Sequence, residues 1–398
     1  MIENNDINNN DIKKSFKFTF FYNHDFGTLI YCTLLFYIVN SFVGKLFKFF
    51  FIQDLILPII TTLKLVLLFF YTTILFVNFR ASKNLLMCLG LLFVVFVVGN
   101  VKWDLYLNTI TYDTLKGTNI SYFVKYLYPF VFLGVFSLIK NKEETISFYF
   151  DIIEKFFIVN SIFIVVGFLF SIGVFQSYMH SNRFGYSGLI EPTFLVYTSM
   201  IIIARRFFLN KIDLVLVIFC AASLFSGTKN MVLFFMLLIF FYLYEKRKMK
   251  LLLFYSTVLI STIVLLKPIV NFFIKIFPFW DSVLSRFGYI GLLTSTRNLN
   301  IQHSLEYIKI NGTLKNLFFG GLELSKCGVE MDFIDLFLFF GIMGVAIYLL
   351  LLSKIINKSY HLIPLIAGFF AGDFLFGTIL VCTYFLWLYE SQEKKEFF

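Results

Sequence analysis

Long, uninterrupted apolar stretches follow one another along this chain, from about residue 27 to residue 389. Hydrophobic residues make up 59% of the 398 positions, and charged residues only 15%. A soluble domain of this length could not cover so much apolar surface with so few charges. A bilayer is the natural solvent, since about 20 mostly apolar residues let a helix span it. The runs are continuous rather than alternating, which favours helices over a transmembrane barrel.

The positions of the stretches predict an all-α, polytopic transmembrane helical bundle. Ten spans are expected near 27–44, 54–78, 85–100, 121–139, 152–175, 188–204, 212–226, 231–244, 251–267 and 333–353. A final apolar run, 360–389, is too long for one ordinary span, and Gly368, Gly372, Asp373 and Gly377 interrupt it. Two short helices with Asp373 near the turn would give about twelve spans. One long broken helix would give eleven.

The distribution of basic residues sets the expected orientation. With the N-terminus inside, the inside segments hold nineteen lysines and arginines and the short outside segments hold seven. This asymmetry follows the positive-inside rule. Most of the basic residues behind the net charge of +10 lie in the inside segments, so this charge does not imply nucleic acid as a partner.

This orientation divides the chain into five parts. They are a cytoplasmic tail (1–25), spans 1 to 9 (26–267), a long periplasmic or extracellular loop between spans 9 and 10 (268–332), the C-terminal spans (333–390) and a second cytoplasmic tail (391–398). The first tail lacks the apolar core and cleavage site of a signal peptide. The long loop keeps aromatic residues and a plausible amphipathic helix near 297–310, so we expect a partly helical, folded cap.

The phrase R-F-G-Y-x-G-L occurs twice, beginning at Arg183 and at Arg286, in a chain with only seven arginines. Both copies fall on the expected outer side, where basic residues are disfavoured. With Lys229, Arg297 and His180 they form the predicted substrate-binding set. Arginine binds phosphate through two points and keeps its charge, so the set predicts a lipid-linked pyrophosphate. The alternative is that these residues snorkel to lipid headgroups.

Three carboxylates on the same side are the predicted catalytic residues. Glu191 follows the first phrase, and Glu330 and Asp332 precede the tenth span. A carboxylate near arginines can act as a general base towards a sugar hydroxyl. The alternative is helix capping, for which Asp332 and Glu191 are both placed. Cysteines and histidines show no metal-ligand spacing, so neither a metal nor another cofactor is expected.

The order of these motifs resembles that of the O-antigen and capsule repeat-unit polymerases of the Wzy type. The matching pieces are R-F-G-Y-S-G-L-I-E-P from Arg183, S-G-T-K ending at Lys229, the long outer loop, and the stretch from Glu330 to Gly344. Relatives often have arginine where this chain has Lys229. The charge of a lysine sits on one ammonium group and lacks the two-point geometry of a guanidinium.

The resemblance implies a GT-C-like fold and transfer of a growing glycan from undecaprenyl pyrophosphate to the non-reducing end of a fresh lipid-linked repeat unit. A hydroxyl attacks the anomeric carbon and the lipid pyrophosphate leaves, with no metal or nucleotide sugar. The implied partners are the lipid-linked donor and acceptor glycans, membrane lipid, and as candidates a chain-length regulator and a flippase. The implied location is the bacterial cytoplasmic membrane, with the active face outward.

Three other functions stay open. A related O-antigen ligase moves the glycan to a lipid core or a protein, but it typically shows a histidine where this chain has Glu330 and Asp332. A flippase or transporter would place charges and broken helices near the bilayer midplane, for which Lys64 and Asp335 are the candidates. For a non-catalytic membrane subunit, the charged residues of the outer face would be incidental.

Overall fold

The structure is a computed structural model, and it describes residues 26–50, 53–104, 109–111, 117–179, 183–264, 268, 271, 278–375 and 377–391. Within these ranges the α-helices, numbered in chain order, are α1 Phe26–Phe49, α2 Gln53–Val77, α3 Phe79–Asn100, α4 Gly117–Ser137, α5 Lys142–Phe170, α6 Pro192–Phe208, α7 Leu214–Phe225, α8 Lys229–Glu245, α9 Met249–Val264, α10 Pro278–Thr294, α11 Arg297–Asn311, α12 Leu314–Phe319, α13 Leu324–Cys327, α14 Asp332–Ile355, α15 Leu362–Ala371 and α16 Thr378–Glu390. The predicted helical class is confirmed. One small departure is an antiparallel hairpin of strands β1 Lys102–Asp104 and β2 Thr109–Thr111.

Several helices have the length and composition of membrane spans. Among the described residues, five qualify: Gly27–Phe49, Ser82–Asn100, Asn119–Ser137, Lys142–Phe170 and Asp332–Ile355. Large apolar side chains stay exposed on the bundle, with exposed fractions of 76% at Phe69, 66% at Leu169 and 69% at Leu253. Water penalises such a surface and lipid does not, so the helices indicate a membrane protein.

The centre of the bundle is built from aromatic rings. The ring of Phe130 on α4 lies 4.9 Å from that of Tyr348 on α14 and 5.3 Å from that of Phe385 on α16. All three side chains are fully buried. Edge-to-face and tilted ring pairs at these distances add to the burial of their large apolar area. Part of the abundant phenylalanine therefore forms a core that holds α4, α14 and α16 together.

The final apolar run folds as two short helices, α15 and α16, which agrees with the two-helix interpretation. Asp373 lies in the turn between them, as predicted. Both Gly372 and Asp373 have left-handed backbones, with φ of 68° and 63°. This conformation is unusual for a residue with a Cβ, although aspartate tolerates it better than most.

The described part of the long loop packs onto the bundle. Its helix α11 matches the predicted 297–310, and Gly312 is its C-cap residue. Further on, the loop enters a break in α14 at Gly341, where φ is 64°. There the backbone nitrogen of Gly321 donates to the Phe339 oxygen at 2.9 Å, so the break is filled by the chain itself.

A cluster of ion pairs closes the end of α6 that lies away from the long loop. Arg205 donates through Nε to Glu390 at 2.6 Å and through Nη1 to Glu154 at 3.2 Å. The side chain of Arg205 is buried, and these carboxylates satisfy it. Thirteen residues separate Arg205 from Pro192 at the start of α6, a distance of about 20 Å along a helix.

Candidate functional site

The first copy of the repeated phrase is a loop that packs against the turn between α7 and α8. The backbone nitrogen of Tyr186 donates to the Phe225 oxygen at 2.8 Å. Gly227, in the S-G-T-K motif, has a φ of 69°, and a Cβ there would lie 2.2 Å from the Phe184 oxygen. Only glycine permits so close an approach of two backbones. Two motifs separated in sequence therefore form one structural unit.

Two buried side chains hold this loop from the other side. Lys45 of α1 donates through Nζ to Ser187 Oγ at 2.6 Å and also to the Gly188 carbonyl. Asn160 of α5 donates to the Ser187 carbonyl at 3.0 Å and accepts from the backbone nitrogen of Leu189 at 2.8 Å. These bonds satisfy loop groups that would otherwise be buried without partners. The loop is therefore fixed on two helices.

A cavity of about 810 Å³ opens beside this loop, where α6, α8 and α11 begin. Its lining residues are Tyr178, Arg183, Pro192, Thr193, Val196, Tyr197, Thr228, Lys229, Asn230, Val232, Leu233, Met236, Ser295, Arg297, Glu330, Phe370, Gly372 and Asp373. The volume lies in the range of small-molecule sites. Helix N-termini carry partial positive charge, so three of them at one cavity favour an anionic ligand.

Three of the predicted substrate-binding residues, Arg183, Lys229 and Arg297, line this cavity. The guanidinium of Arg183 lies over the ring of Tyr178, with 3.7 Å between Cζ and the ring centroid. Arg297, the first residue of α11, donates through Nε to the Glu330 backbone oxygen at 2.8 Å. These contacts fix the planes of two guanidinium groups at the cavity wall. An oriented guanidinium can bind a phosphate at two points.

Lys229 connects the start of α8 to the long loop. Its Nζ donates to the Leu292 carbonyl and lies 3.4 Å from Ser295 Oγ. Burial lowers the pKa of Lys229 to about 7, and the charges of Arg183 and Arg297 act in the same direction. An anion in the cavity would reverse this effect and favour the protonated amine.

The cavity also has an apolar side that continues along α6 and α8. Val232 and Leu233 of α8 lie about one turn before Met236, and Val196 of α6 lines the same side of the cavity. Met236 is seven residues beyond Lys229, which is about 10 Å along a helix. The cavity is thus cationic where the helices begin and apolar further along them. A molecule with an anionic head and an apolar chain matches this division.

Of the predicted catalytic carboxylates, Glu330 lines the cavity and the other two do not. Asp332 is 1% exposed, and its Oδ2 accepts from the backbone nitrogens of Phe374 at 3.1 Å and Leu375 at 3.0 Å. The N-cap position of α14 is Met331, so Asp332 does not cap its own helix as the alternative interpretation had it. It instead caps the turn between α15 and α16.

The remaining predicted residues lie elsewhere. Glu191 occupies the N-cap position of α6, with no side-chain capping bond, and its charge acts on Lys45 rather than in the cavity. Arg286 is exposed on α10 and is not among the lining residues. His180 lies outside the described residues.

The two copies of the phrase have different backbones, which explains their different placement. Arg183 starts an irregular loop, whereas Arg286 lies within α10, which bends at Gly288 with a φ of 66°. No residue of the second copy lines the cavity, but Ser295 and Arg297, which follow it in the sequence, do. Arg183 lines the cavity and Arg286 does not, so the matching arginines of the two copies do not meet in one site.

Asp373 is the functional candidate that sequence reasoning missed. The interrupted final run marked it as a turn residue, but nothing in the sequence placed it near Arg183 or Arg297. In the structure its side chain is exposed and lines the same cavity. Desolvation of its carboxyl group by the surrounding protein raises the pKa of Asp373, while the charges of Arg297, Lys125 and Lys48 lower it.

Comparisons of this chain with protein-family models, with curated proteins and with solved structures give no match.

Proposed function

We propose that the protein polymerises lipid-linked oligosaccharide repeat units at one face of a bacterial cytoplasmic membrane. In this proposal it is a GT-C-like glycosyltransferase with about eleven or twelve spans. The donor is a growing glycan on a polyprenyl pyrophosphate such as undecaprenyl pyrophosphate, and the acceptor is a single lipid-linked unit. The product is a polysaccharide of the O-antigen or capsule type.

One observation carries this proposal: the cavity joins three cationic residues to an apolar wall. Arg183, Lys229 and Arg297 supply the charges that a pyrophosphate leaving group needs. The apolar residues along α8 suit the first isoprene units of a lipid. A water-soluble anion would leave that apolar wall exposed to water, whereas the apolar chain of an amphiphile would bury it.

The chemistry requires little besides positioning and charge stabilisation. The acceptor hydroxyl attacks the anomeric carbon of the donor, and the bond from that carbon to the pyrophosphate oxygen breaks. Negative charge then grows on the pyrophosphate, where fixed cations in a site of low dielectric constant stabilise it best. Arg183 and Arg297 keep their charge throughout, and Lys229 gains its full charge when the anion binds.

The flippase alternative receives less support from the described residues. Its expected broken helix exists, since α14 breaks at Gly341. However, the break is occupied by the segment around Gly321 and does not line the cavity. Helix breaks that bind transported substrates line a water-filled path.

Deletion and complementation in the source cell test the function. Loss of a polymerase leaves one-unit glycan on the lipid, which mass spectrometry of extracted lipid-linked glycans detects. Loss of a ligase instead leaves long lipid-linked polymer, and loss of a flippase traps the unit on the cytoplasmic face. Either of these last two patterns would reject the proposal.

A further inference from the structure

The turn between α15 and α16 is held from several directions. Tyr197 of α6 donates through its hydroxyl to the Gly372 carbonyl at 2.6 Å. Asp332 accepts from the backbone nitrogens of Phe374 and Leu375, which follow Asp373. A Cβ on Gly372 would lie 2.2 Å from the Glu330 oxygen, so the turn is pressed against the residue before α14. Helices α6, α14 and α15 thus fix this turn together.

This fixation keeps Asp373 in a left-handed backbone, with a φ of 63°. Such a conformation costs a non-glycine residue about 1–2 kcal/mol, and glycine would avoid that cost. The hydrogen bonds that hold the turn come from Asp332 and Tyr197, so the turn does not depend on the Asp373 carboxylate. Backbone strain of this kind collects at functional sites, where the surrounding structure enforces it. Glu330 has a similar backbone, with a φ of 61°, so the strain points to a use for both cavity carboxylates and their surroundings must choose between them.

The two carboxylates that line the cavity differ in their surroundings. Glu330 has its Oε2 3.8 Å from Arg297 Nη2, and its side chain is 66% exposed. This ion pair holds the Glu330 carboxylate towards Arg297 rather than towards an incoming hydroxyl. Asp373 lies on the rigid turn, where the surrounding protein restricts water and raises the pKa of its carboxyl group, against the opposing effect of the charges of Arg297, Lys125 and Lys48. A raised pKa brings a carboxylate nearer to the range in which a general base is effective.

We infer that Asp373 is the general base of the glycosyl transfer, and this inference rests on the proposed function. The hydroxyl oxygen of the acceptor forms the new bond to the anomeric carbon, and its proton passes to the Asp373 carboxylate. The bond from the anomeric carbon to the pyrophosphate oxygen breaks, and its electron pair leaves with the lipid pyrophosphate. Arg183, Lys229 and Arg297 bind the leaving group, while Asp373 binds the attacking hydroxyl.

The test uses the full chain in liposomes with a synthetic polyprenyl-pyrophosphate-linked repeat unit, and it measures kcat and KM for chain extension. Asp373→Asn keeps the shape of the side chain but removes the proton acceptor. We expect kcat to fall by at least about 100-fold, the usual contribution of a positioned base, with KM changed by less than about threefold. A smaller fall in kcat, or an effect mainly on KM, would overturn the assignment.

Two further variants separate chemistry from folding. Asp373→Gly fits the left-handed backbone without strain, so it should melt no lower than the wild type and still lose kcat to the same extent. Asp281→Asn removes an exposed carboxylate of α10 outside the cavity, and it should extend chains at the wild-type rate. An active Asp373→Gly protein would also overturn the assignment. If the wild type itself forms no polymer, the proposed function fails rather than the choice of base.

Discussion

Arg297 donates through Nε to the backbone oxygen of Glu330 at 2.8 Å, and its Nη2 lies 3.8 Å from the Glu330 carboxylate. These residues stand 33 positions apart, at the start of α11 and just before α14. The stronger of the two contacts uses the backbone of Glu330 and does not depend on its side chain. The structural and chemical contributions of this pair can therefore be separated by mutation.

Glu330→Gln should have little effect, because the backbone bond to Arg297 remains. An exposed ion pair of this length contributes at most about 1 kcal/mol to the free energy of unfolding. We expect the melting temperature and the rate of chain extension to stay close to those of the wild type. Thermal melting in detergent and the liposome assay check both. Loss of kcat in Glu330→Gln comparable to that in Asp373→Asn would identify Glu330 as the proton acceptor instead.

The repeated phrase supplies its own matched control. Arg183→Ala removes a guanidinium from the cavity wall, whereas Arg286→Ala removes one from an exposed position on α10. A hydrogen bond to a charged group contributes about 1.5–3 kcal/mol, so Arg183→Ala should weaken binding of polyprenyl pyrophosphate roughly 10- to 100-fold. Arg286→Ala should bind as the wild type does. Equal losses in both variants, measured with radiolabelled lipid in nanodiscs, would contradict the placement of Arg183.

Binding of pyrophosphate should be coupled to proton uptake at Lys229. The pKa of Lys229 is about 7 in the free protein and rises when an anion binds beside it. At about pH 8 the amine is mostly neutral, so the complex must take up a proton, and affinity should fall as pH rises. Calorimetry in buffers of different ionisation enthalpy measures this uptake. Lys229→Arg should abolish it, and a wild type without uptake would show that Lys229 does not meet the ligand.

The lowered pKa of Lys229 also makes the free energy of unfolding depend on pH. Unfolded Lys229 has a pKa of 10.5, so between about pH 7 and this value the unfolded state binds more protons than the folded state. The contribution of Lys229 to the free energy of unfolding therefore rises with pH across this window. Chemical denaturation of the wild type and Lys229→Met at several pH values measures this effect. The difference between their free energies of unfolding should shrink as the pH rises.

Asp332 should act on stability through the turn that it caps. Asp332→Ala leaves the backbone nitrogens of Phe374 and Leu375 without their acceptor, at a cost of about 3 kcal/mol or more in the free energy of unfolding. Asp332→Asn keeps one oxygen as an acceptor and should be less destabilised. Melting curves of the two variants check the order. A melting temperature for Asp332→Ala equal to that of the wild type would contradict this structural role.

The close approach of the two motifs at Gly227 gives a further stability test. Gly227→Ala forces a Cβ against the Phe184 oxygen and into a left-handed backbone, which should cost about 1–3 kcal/mol and weaken ligand binding. Gly90→Ala is the matched control, because no atom lies within 4 Å of a Cβ added at this exposed position of α3. Its free energy of unfolding should rise by about 0.5–1 kcal/mol. A Gly227→Ala protein as stable as the wild type would contradict the packing of the loop.

The helical architecture was predictable from local information. Apolar runs predict the approximate positions of the long apolar helices, and the break at Gly372 and Asp373 predicts the turn between α15 and α16. The helix α11 was predictable in the same way, since Gly312 ends it. Such features depend on neighbours within about 20 residues, which a single sequence contains.

The site was predictable only in part, because it is made by contacts between distant segments. Charge placement identified Arg183, Lys229 and Arg297, but it gave Arg286 equal weight. That arginine is carried away from the cavity because its copy of the phrase lies in a helix, and no local pattern shows this difference. Asp373 could be assigned to the site only from the packing of the turn between α15 and α16 against the residues before α14.

Reconstitution with a defined substrate is the most direct test of the proposed polymerase activity. The purified protein is placed in liposomes with one synthetic polyprenyl-pyrophosphate-linked repeat unit, and the lipid-linked products are separated by length. We expect a ladder of two, three and more units with the wild type, and single units only with an Arg183→Ala, Arg297→Ala double variant. A wild type that leaves every unit single, or a double variant that forms the same ladder, would contradict this expectation.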